Sequence, residues 1–480
     1  MMHDAVDTAT EDRIVKQDVW SSTSFWQKQA LDEDGDVSAP LIGDSRADVC
    51  IVGGGFTGLW TALHLKQQAP DLDVVLIEAK RCGDGGSGAN AGYALPLWAN
   101  FPALEEQHGS DEALRLCRAS EAVIDEIEDL ARSHAADIGM RRHGVIWGAT
   151  CAAQTGHWEE AIASMDRHQV KHYTPLDHEE IKRRTGSHAY VAGVLEGTSA
   201  TVHPGKLVRL LRRAVLAAGV RLHETTPMTA LGRTTPPVVT TPGGTITADR
   251  VVLAMYAWTG AIRELKREIV VLCSDVMVTQ PQEQAVAAQG WRDGPALYDS
   301  RTLTEGTRTT PDGRVLFNKA GGRLAFCTGV DRSQSRPGRS VDELQAMLTT
   351  HMPDLAQAPA SHAWSAAIDR TRSGMPLFGR LPGSPHILYG FGYSGRGVLT
   401  TNLGGKILAS LALDADDAWS HAGFVRKPAT SFPPEPIRFL GGLAVRQAIR
   451  RKDQLDHAGR KPDPLTSFFY GFKPGRWNRR

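Results

Sequence analysis

An α/β protein with a second, antiparallel sheet inserted into it is the fold class this 480-residue chain predicts. Three observations carry the prediction. The stretch ADVCIVGGGFTGLWTALHLKQQAPDLDVVLIEA, residues 47–79, is an apolar run ending in three glycines, then a helix-period segment, then a second apolar run closing on an acid. A late stretch, HILYGFGYSGRGVLTTNLGGKILASLAL over 386–413, repeats the order strand, glycine turn, helix. Between them, IVVLCSDVMVTQP and GRVLFNKAGGRLAFCTGV alternate apolar and polar residues, the period of a half-buried antiparallel sheet.

The totals bound the answer. A chain this long needs two or three packed regions. Hydrophobic residues make up 41% and charged residues 22%, an ordinary globular composition, and the net charge of +0 gives no pull toward nucleic acid. No apolar run approaches a membrane span, and the polar start MMHDAVDTATEDRIVKQDVW lacks a secretory pattern, so a cytoplasmic location is expected. The six cysteines form no close pair, and the histidines show no metal-ligand spacing, so no metal is expected.

The first stretch reads as a dinucleotide cradle. Val49 to Val52 is a strand, and Gly53, Gly55 and Gly58 fit GxGxxG around Phe56 and Thr57. The first glycine permits the tight turn, the second lets a phosphate approach the backbone, and the third lets helix and strand pack closely. The helix that follows points free N–H groups and a positive dipole at a pyrophosphate. Pro70 ends it, DVVLIEA is a second strand, and Glu78, followed by Ala79, stands where an acid holds ribose hydroxyls. An acid there argues against a 2′-phosphate, hence against NADP.

Three further stretches favour FAD over NAD. The glycine-dense loop RCGDGGSGANAG, residues 81–92, suits a cofactor that continues past its pyrophosphate. HPGKL opens a helix, after which GVRLHETTPMTAL and TITADRVVLAMYAWTG return strands to the same sheet. The late strand, glycine turn and helix place a helix N-terminus where reduced flavin gathers negative charge.

In GGGFTG with Glu78, the SGANAG loop, HPGKL, the AMYAW strand end and GYSGRGV, the chain resembles the D-amino-acid oxidase-like family of FAD-dependent amine and amino-acid oxidoreductases, over roughly residues 24–412. It resembles in particular the gamma-glutamylputrescine oxidoreductase and aminophosphonate oxidoreductase branches of that family. The resemblance implies a Rossmann-like FAD-binding domain with an inserted substrate domain. It implies that Gly53, Gly55 and Gly58 hold the pyrophosphate and Glu78 the adenosine ribose, with Phe56, Thr57 and Ala79 also binding the cofactor. Ser87, Gly88 and Asn90 approach flavin or pyrophosphate, the Met228 backbone meets adenine, Gly395 to Val398, Gly397 among them, surround the flavin pyrimidine, and Ala89 and Ala254 also bind the cofactor. Ala89 and Ala91 depart from the branches' SGRNGG, and Arg396 stands where they often carry His. No Cys follows Cys327 and no His occupies 89–91, so non-covalent FAD is expected.

The implied reaction moves a hydride equivalent from an amine-bearing carbon to flavin N5, with hydrolysis of the resulting imine. In amino-acid oxidising relatives an Arg within AWSAAIDRTRSGMPLFGRLP (363–382) pairs with the substrate carboxylate; alignment on Pro376–Gly379 puts Ile368 there. That favours an amine substrate, with Arg370 and Arg372 as candidates for a more distant carboxylate or phosphonate, and Tyr393 and Arg396 as site-lining residues. Tyr256, Lys319, Trp98 and Tyr93 are weaker nominees, with core or surface roles set against site roles. Oxygen and a quinone both stand as electron acceptors. An oxidase or dehydrogenase of an amino acid or 2-hydroxy acid, and a non-catalytic flavoprotein docking by its tail, remain alternatives.

The expected organisation is an N-terminal extension, 1–46, and a discontinuous FAD-binding domain, 47–92, 190–260 and 364–412. Residues 93–189, with a helical look, and 261–363 form the substrate domain; 413–480 is a basic tail. From Ser431 that tail holds 11 basic against 4 acidic residues, and FLGGLAVRQAIRRKDQLDH reads as an amphipathic helix. Two uses fit it: packing on the body, or contact with a membrane surface or partner.

Overall fold

A computed structural model describes residues 12–13, 24–330, 338–355, 357–429 and 431–475. Two large sheets organise it. In the first, four strands run parallel in the order Arg221–His223, Val74–Ile77, Ser45–Val52, Gly244–Leu253. The last of these is long enough to serve two neighbours: Ser384–Phe391 runs parallel to its end, and Val238–Thr241 antiparallel to its start. The sheet is buried on both faces, which is why its central strands read as unbroken apolar runs rather than alternations. Val49, Ile51, Val74 and Leu76 face one core, Cys50, Val52, Val75 and Ile77 the other.

The helices Phe56–Gln68, Pro204–Ala217 and Gly397–Ala412 cover the first of those faces, and the first of them packs against each of the other two. The helix predicted after the first glycine turn and the one after the second are therefore neighbours. That juxtaposition brings two uncapped helix N-termini to one end of the sheet, at the carboxyl ends of its parallel strands, where open α/β sheets bind ligands.

The second sheet has eight strands, in the order Ala360–Thr371, Ile269–Thr279, Val315–Leu324, Glu305–Thr309, Ala296–Asp299, Val145–Ala149, Ala192–Glu196, Tyr173–Asp177. The two alternating stretches pair antiparallel, Val276 opposite Asn318 and Met277 opposite Phe317. Two expected boundaries move. Residues 192–196 pair with Val145–Ala149 in this sheet, and Ala360–Thr371 pairs along the whole of Ile269–Thr279, so neither strand belongs to the cofactor sheet. Local pattern cannot show which sheet a strand joins, since the pairing partner is distant in sequence. The segment 93–189 carries the 24-residue helix Ser110–Ser133, but also two strands of the second sheet.

Neither the described segment before the first sheet nor the described part of the tail stands apart. The helix Phe25–Glu33 packs on the glycine-rich loop, where Gln27 donates to the Cys82 carbonyl at 3.2 Å and to Asp84 at 3.1 Å. Of the two uses of the tail, packing is the one observed: in the helix Ile437–His457, Arg446 and Arg450 each donate to the Gly321 carbonyl at 3.0 Å. No described helix is long and apolar enough to cross a membrane.

Candidate active site

A cavity of about 910 Å³ runs from the first glycine turn, between the two sheets, to the second glycine turn. Its first end is shaped by glycines that cannot be replaced. A Cβ on Gly58 would lie 1.9 Å from the Gly53 carbonyl oxygen, so the helix touches the strand backbone there. Gly53 has φ +116° and a Cβ would strike the Ala254 carbonyl at 2.4 Å. The helix Phe56–Gln68 begins without a side-chain cap; only the Phe56 N–H is taken, by the Ser87 hydroxyl at 2.8 Å. That bond leaves the Ser87 proton available to an anionic oxygen.

Glu78 lines the cavity beside this turn, accepting from the Gly54 N–H at 2.7 Å and the Lys80 N–H at 3.0 Å. Burial raises its carboxyl to about 7 in spite of those donors. Asp84, also on the wall, is raised to about 6 by burial. Asn90 holds the loop in shape, donating to the Ser87 carbonyl at 2.7 Å and accepting from the Gly92 N–H at 2.8 Å.

At the other end the turn 392–395 is strapped by Asp369, a residue the sequence reading passed over. Its buried carboxylate accepts from the Gly392 N–H and, at 3.4 Å, from the Ser394 N–H. An acid inside the apolar run SAAID was the available signal. Tyr393 links the two glycine turns, its hydroxyl accepting from Thr57 Oγ1 at 2.8 Å. It braces the two turns, and burial holds its phenol well above the ordinary range.

Arg370 and Arg396 bring charge to this end. Both line the cavity, and Arg370 Nε and Arg396 Nη1 have no hydrogen-bond partner. Burial, helped by the like charge of Arg396, pushes the Arg370 guanidinium down to about 10. Ile368 lies on the same wall, two residues earlier on the same strand face. Arg372 does not join them. The strand ends at Thr371, the alternation stops, and the Arg372 side chain donates to the Ser431 carbonyl instead.

Of the remaining predicted residues, Gly53, Gly55, Phe56, Thr57, Ala79, Ala89, Met228, Ala254, Gly395, Gly397 and Val398 line the cavity, with Tyr93 and Tyr256. Gly58 and Gly88 do not reach it: the first supports the helix crossing, and the second packs against Gln27 and Gly83. Trp98 is buried, its indole donating to Glu121 at 2.7 Å. Lys319 is no exposed hairpin lysine. It is buried and paired with Glu305 at 2.9 Å, on the strand face opposite Asn318 and Ala320. No pattern marked Arg301, Thr302 or Lys473–Gly475, which also line the cavity. Their part is set by contacts between distant segments.

Residues 48–411 match the family model described as DAO, FAD dependent oxidoreductase. The chain belongs to the DAO family. Among curated relatives it is similar to a probable oxidoreductase OrdL of Rhizobium meliloti, 32% identical over 417 residues that cover 85% of this chain and 90% of that protein. It is also similar to gamma-glutamylputrescine oxidoreductase of Escherichia coli, 29% identical over 393 residues, covering 80% of this chain and 88% of the relative. Among solved structures, glycine oxidase from Geobacillus kaustophilus superposes with a TM-score of 0.64 at 21% identity, covering 79% of this chain and 98% of that one, a likeness of fold.

This DAO-family chain is therefore an FAD-dependent oxidoreductase, and its residues fit the cofactor. Gly53, Gly55 and the bare start of the Phe56 helix would hold the pyrophosphate, and Glu78 the ribose. The start of the helix Gly397–Ala412, also without a side-chain cap, would face the flavin. No cysteine or histidine lines the cavity among the described residues, which accords with non-covalent binding. Bound there, FAD supplies a two-electron acceptor. The chain's own contribution is to orient the substrate and keep water from it.

Proposed function

We propose that this enzyme oxidises the CH–NH bond of a small amine that carries an anionic group away from the reacting carbon. Gamma-glutamylputrescine-like and aminophosphonate-like amines are the substrate classes with that shape. The neutral amine gives a hydride equivalent to flavin N5, and water hydrolyses the imine to a carbonyl compound. Arg370 and Arg396 bind the remote anion; Ile368 leaves no cation where an α-carboxylate would be clamped. Electrons leave the reduced cofactor to oxygen or a quinone. All six cysteines are free, which suits a reducing cytoplasm.

The observation that carries this reading is Arg370 itself. A desolvated guanidinium with an unpartnered Nε, on the wall of a cavity that also holds a second under-bonded arginine, is an arrangement an anion would complete. The similarity to gamma-glutamylputrescine oxidoreductase supports the amine class.

The test is an anaerobic titration of the holoenzyme, read as bleaching of the flavin's visible absorbance. The panel is gamma-glutamylputrescine, 2-aminoethylphosphonate, sarcosine, glycine, a D-amino acid and 2-hydroxyglutarate. Bleaching by one of the first two is expected. Bleaching by glycine or the D-amino acid alone would show that the α-carboxylate is held without a cation at 368. Reduction by the hydroxy acid alone would overturn the amine reading.

A further inference from the structure

The family match ends at residue 411, yet the chain returns to the cavity more than sixty positions later: Lys473, Pro474 and Gly475 line it. The return is fixed at several points. The helix Ile437–His457 is tied to the second sheet through Arg446 and Arg450. A second helix, Pro464–Tyr470, packs against the first. Beyond it the Gly475 N–H donates to the Arg372 carbonyl at 3.0 Å, next to the strand that carries Arg370.

This places a lysine on the wall with its charge uncompensated. Lys473 Nζ donates to Tyr470 Oη at 2.7 Å and to Thr302 Oγ1 at 3.3 Å, and lies 4.5 Å from the Tyr470 ring centroid. Both hydrogen-bond partners are neutral hydroxyls, and an ammonium has three donors, so one remains for a ligand. The neighbouring cation on that wall, Arg301, is neutralised by Asp299 at 2.7 Å and by Glu305. Lys473 has no such carboxylate among the described residues.

We infer that Lys473 binds the anionic group of the substrate, so that the C-terminal segment completes the substrate site and selects amines that carry an anion over amines that lack one. The inference rests on the amine reading above. It adds a specificity-determining residue from a part of the chain that the family match does not reach. Arg370 and Arg396 hold the anion from the strand and the glycine turn, and Lys473 holds it from the tail.

The experiment compares the full-length holoenzyme with Lys473→Met, which keeps the stem and removes the charge, and Lys473→Arg, which restores charge. Anaerobic flavin titrations give Kd for gamma-glutamylputrescine and 2-aminoethylphosphonate, and for N-butanoylputrescine and ethylamine, counterparts that lack the anionic group. In Lys473→Met, Kd for a bound anionic amine is expected to rise about tenfold or more, the loss of one charge-assisted hydrogen bond. Lys473→Arg should recover most of it, and Kd for the counterpart without the anion, FAD content and melting temperature should stay as in the parent. An unchanged Kd, or an equal rise for amines with and without the anionic group, would overturn the inference while the amine reading stood. A parent enzyme that responds to neither anionic amine would overturn both.

Discussion

Replacing Arg370 by methionine sets the stability of the fold against the binding of substrate. Burial pushes the guanidinium down to about 10, so it is charged at neutral pH in a place that disfavours the charge. At about 1.4 kcal/mol per pKa unit, the folded state carries a penalty of about 3 kcal/mol for that group. The unpartnered Nε adds to the cost, and an unsatisfied buried donor is worth about 1–3 kcal/mol. The two figures describe overlapping effects, and methionine keeps most of the packing of the stem. Apoprotein carrying Arg370→Met is therefore expected to gain about 1–3 kcal/mol in urea unfolding at neutral pH. In the holoenzyme the same change should raise Kd for the anionic amine by about 10- to 100-fold, the range for a hydrogen bond to a charged group. A variant that is less stable than its parent, with an unchanged Kd, would mean that the protein itself satisfies Arg370, and the argument for an anion site would fall.

Other expectations concern the cofactor end and the second sheet. Burial raises Glu78 to about 7, while ribose hydroxyls favour the carboxylate, so FAD binding to apoprotein should release a proton. Affinity is then expected to rise with pH, by at most about tenfold per unit, and to level off above about pH 7; Glu78→Gln should flatten the profile, and a flat parent profile would refute the assignment. Gly58→Ala puts a Cβ 1.9 Å from the Gly53 carbonyl, and the helix must move away by about 1 Å. A loss of about 1–3 kcal/mol or more and a colourless purified protein are expected, and full flavin content would count against the cradle. Glu305→Ala strips Arg301, Lys319 and His351 of a shared carboxylate. Burial alone would raise that carboxyl, but His351, Lys319 and Arg301 outweigh it and hold it well below the usual range. Its stabilisation is thus present above the ordinary carboxylate pKa and lost as the pH falls. Truncation should cost about 3–5 kcal/mol in urea unfolding, and a loss under 1 kcal/mol would show the cluster to be solvated.

The cofactor half of the site was legible because it is built from backbone. Where a phosphate must approach, where a helix must touch a strand and where φ is positive, only glycine serves, and the spacing of Gly53, Gly55 and Gly58 states this locally. The strands around them are buried on both faces and so read as apolar runs, and the acid at 78 follows at a fixed distance. Fold class, FAD and the two glycine turns could all be read in that way.

The substrate half depended on pairings between segments far apart in the chain. Arg370 and Arg372 have equal claims in one dimension, and only the end of the strand at Thr371 separates them. Asp369 gains its role from a turn more than twenty residues later. Residues 192–196 and 360–371 fit either sheet by pattern, and hydrogen bonding to distant partners decided between them. The tail looked separable because its basic residues suggest a solvated face. Instead, several of its arginines are spent on main-chain carbonyls, which turns the chain back until Lys473 reaches the cavity. Composition records how many charges a segment has; which partners compensate them is decided when the chain closes on itself.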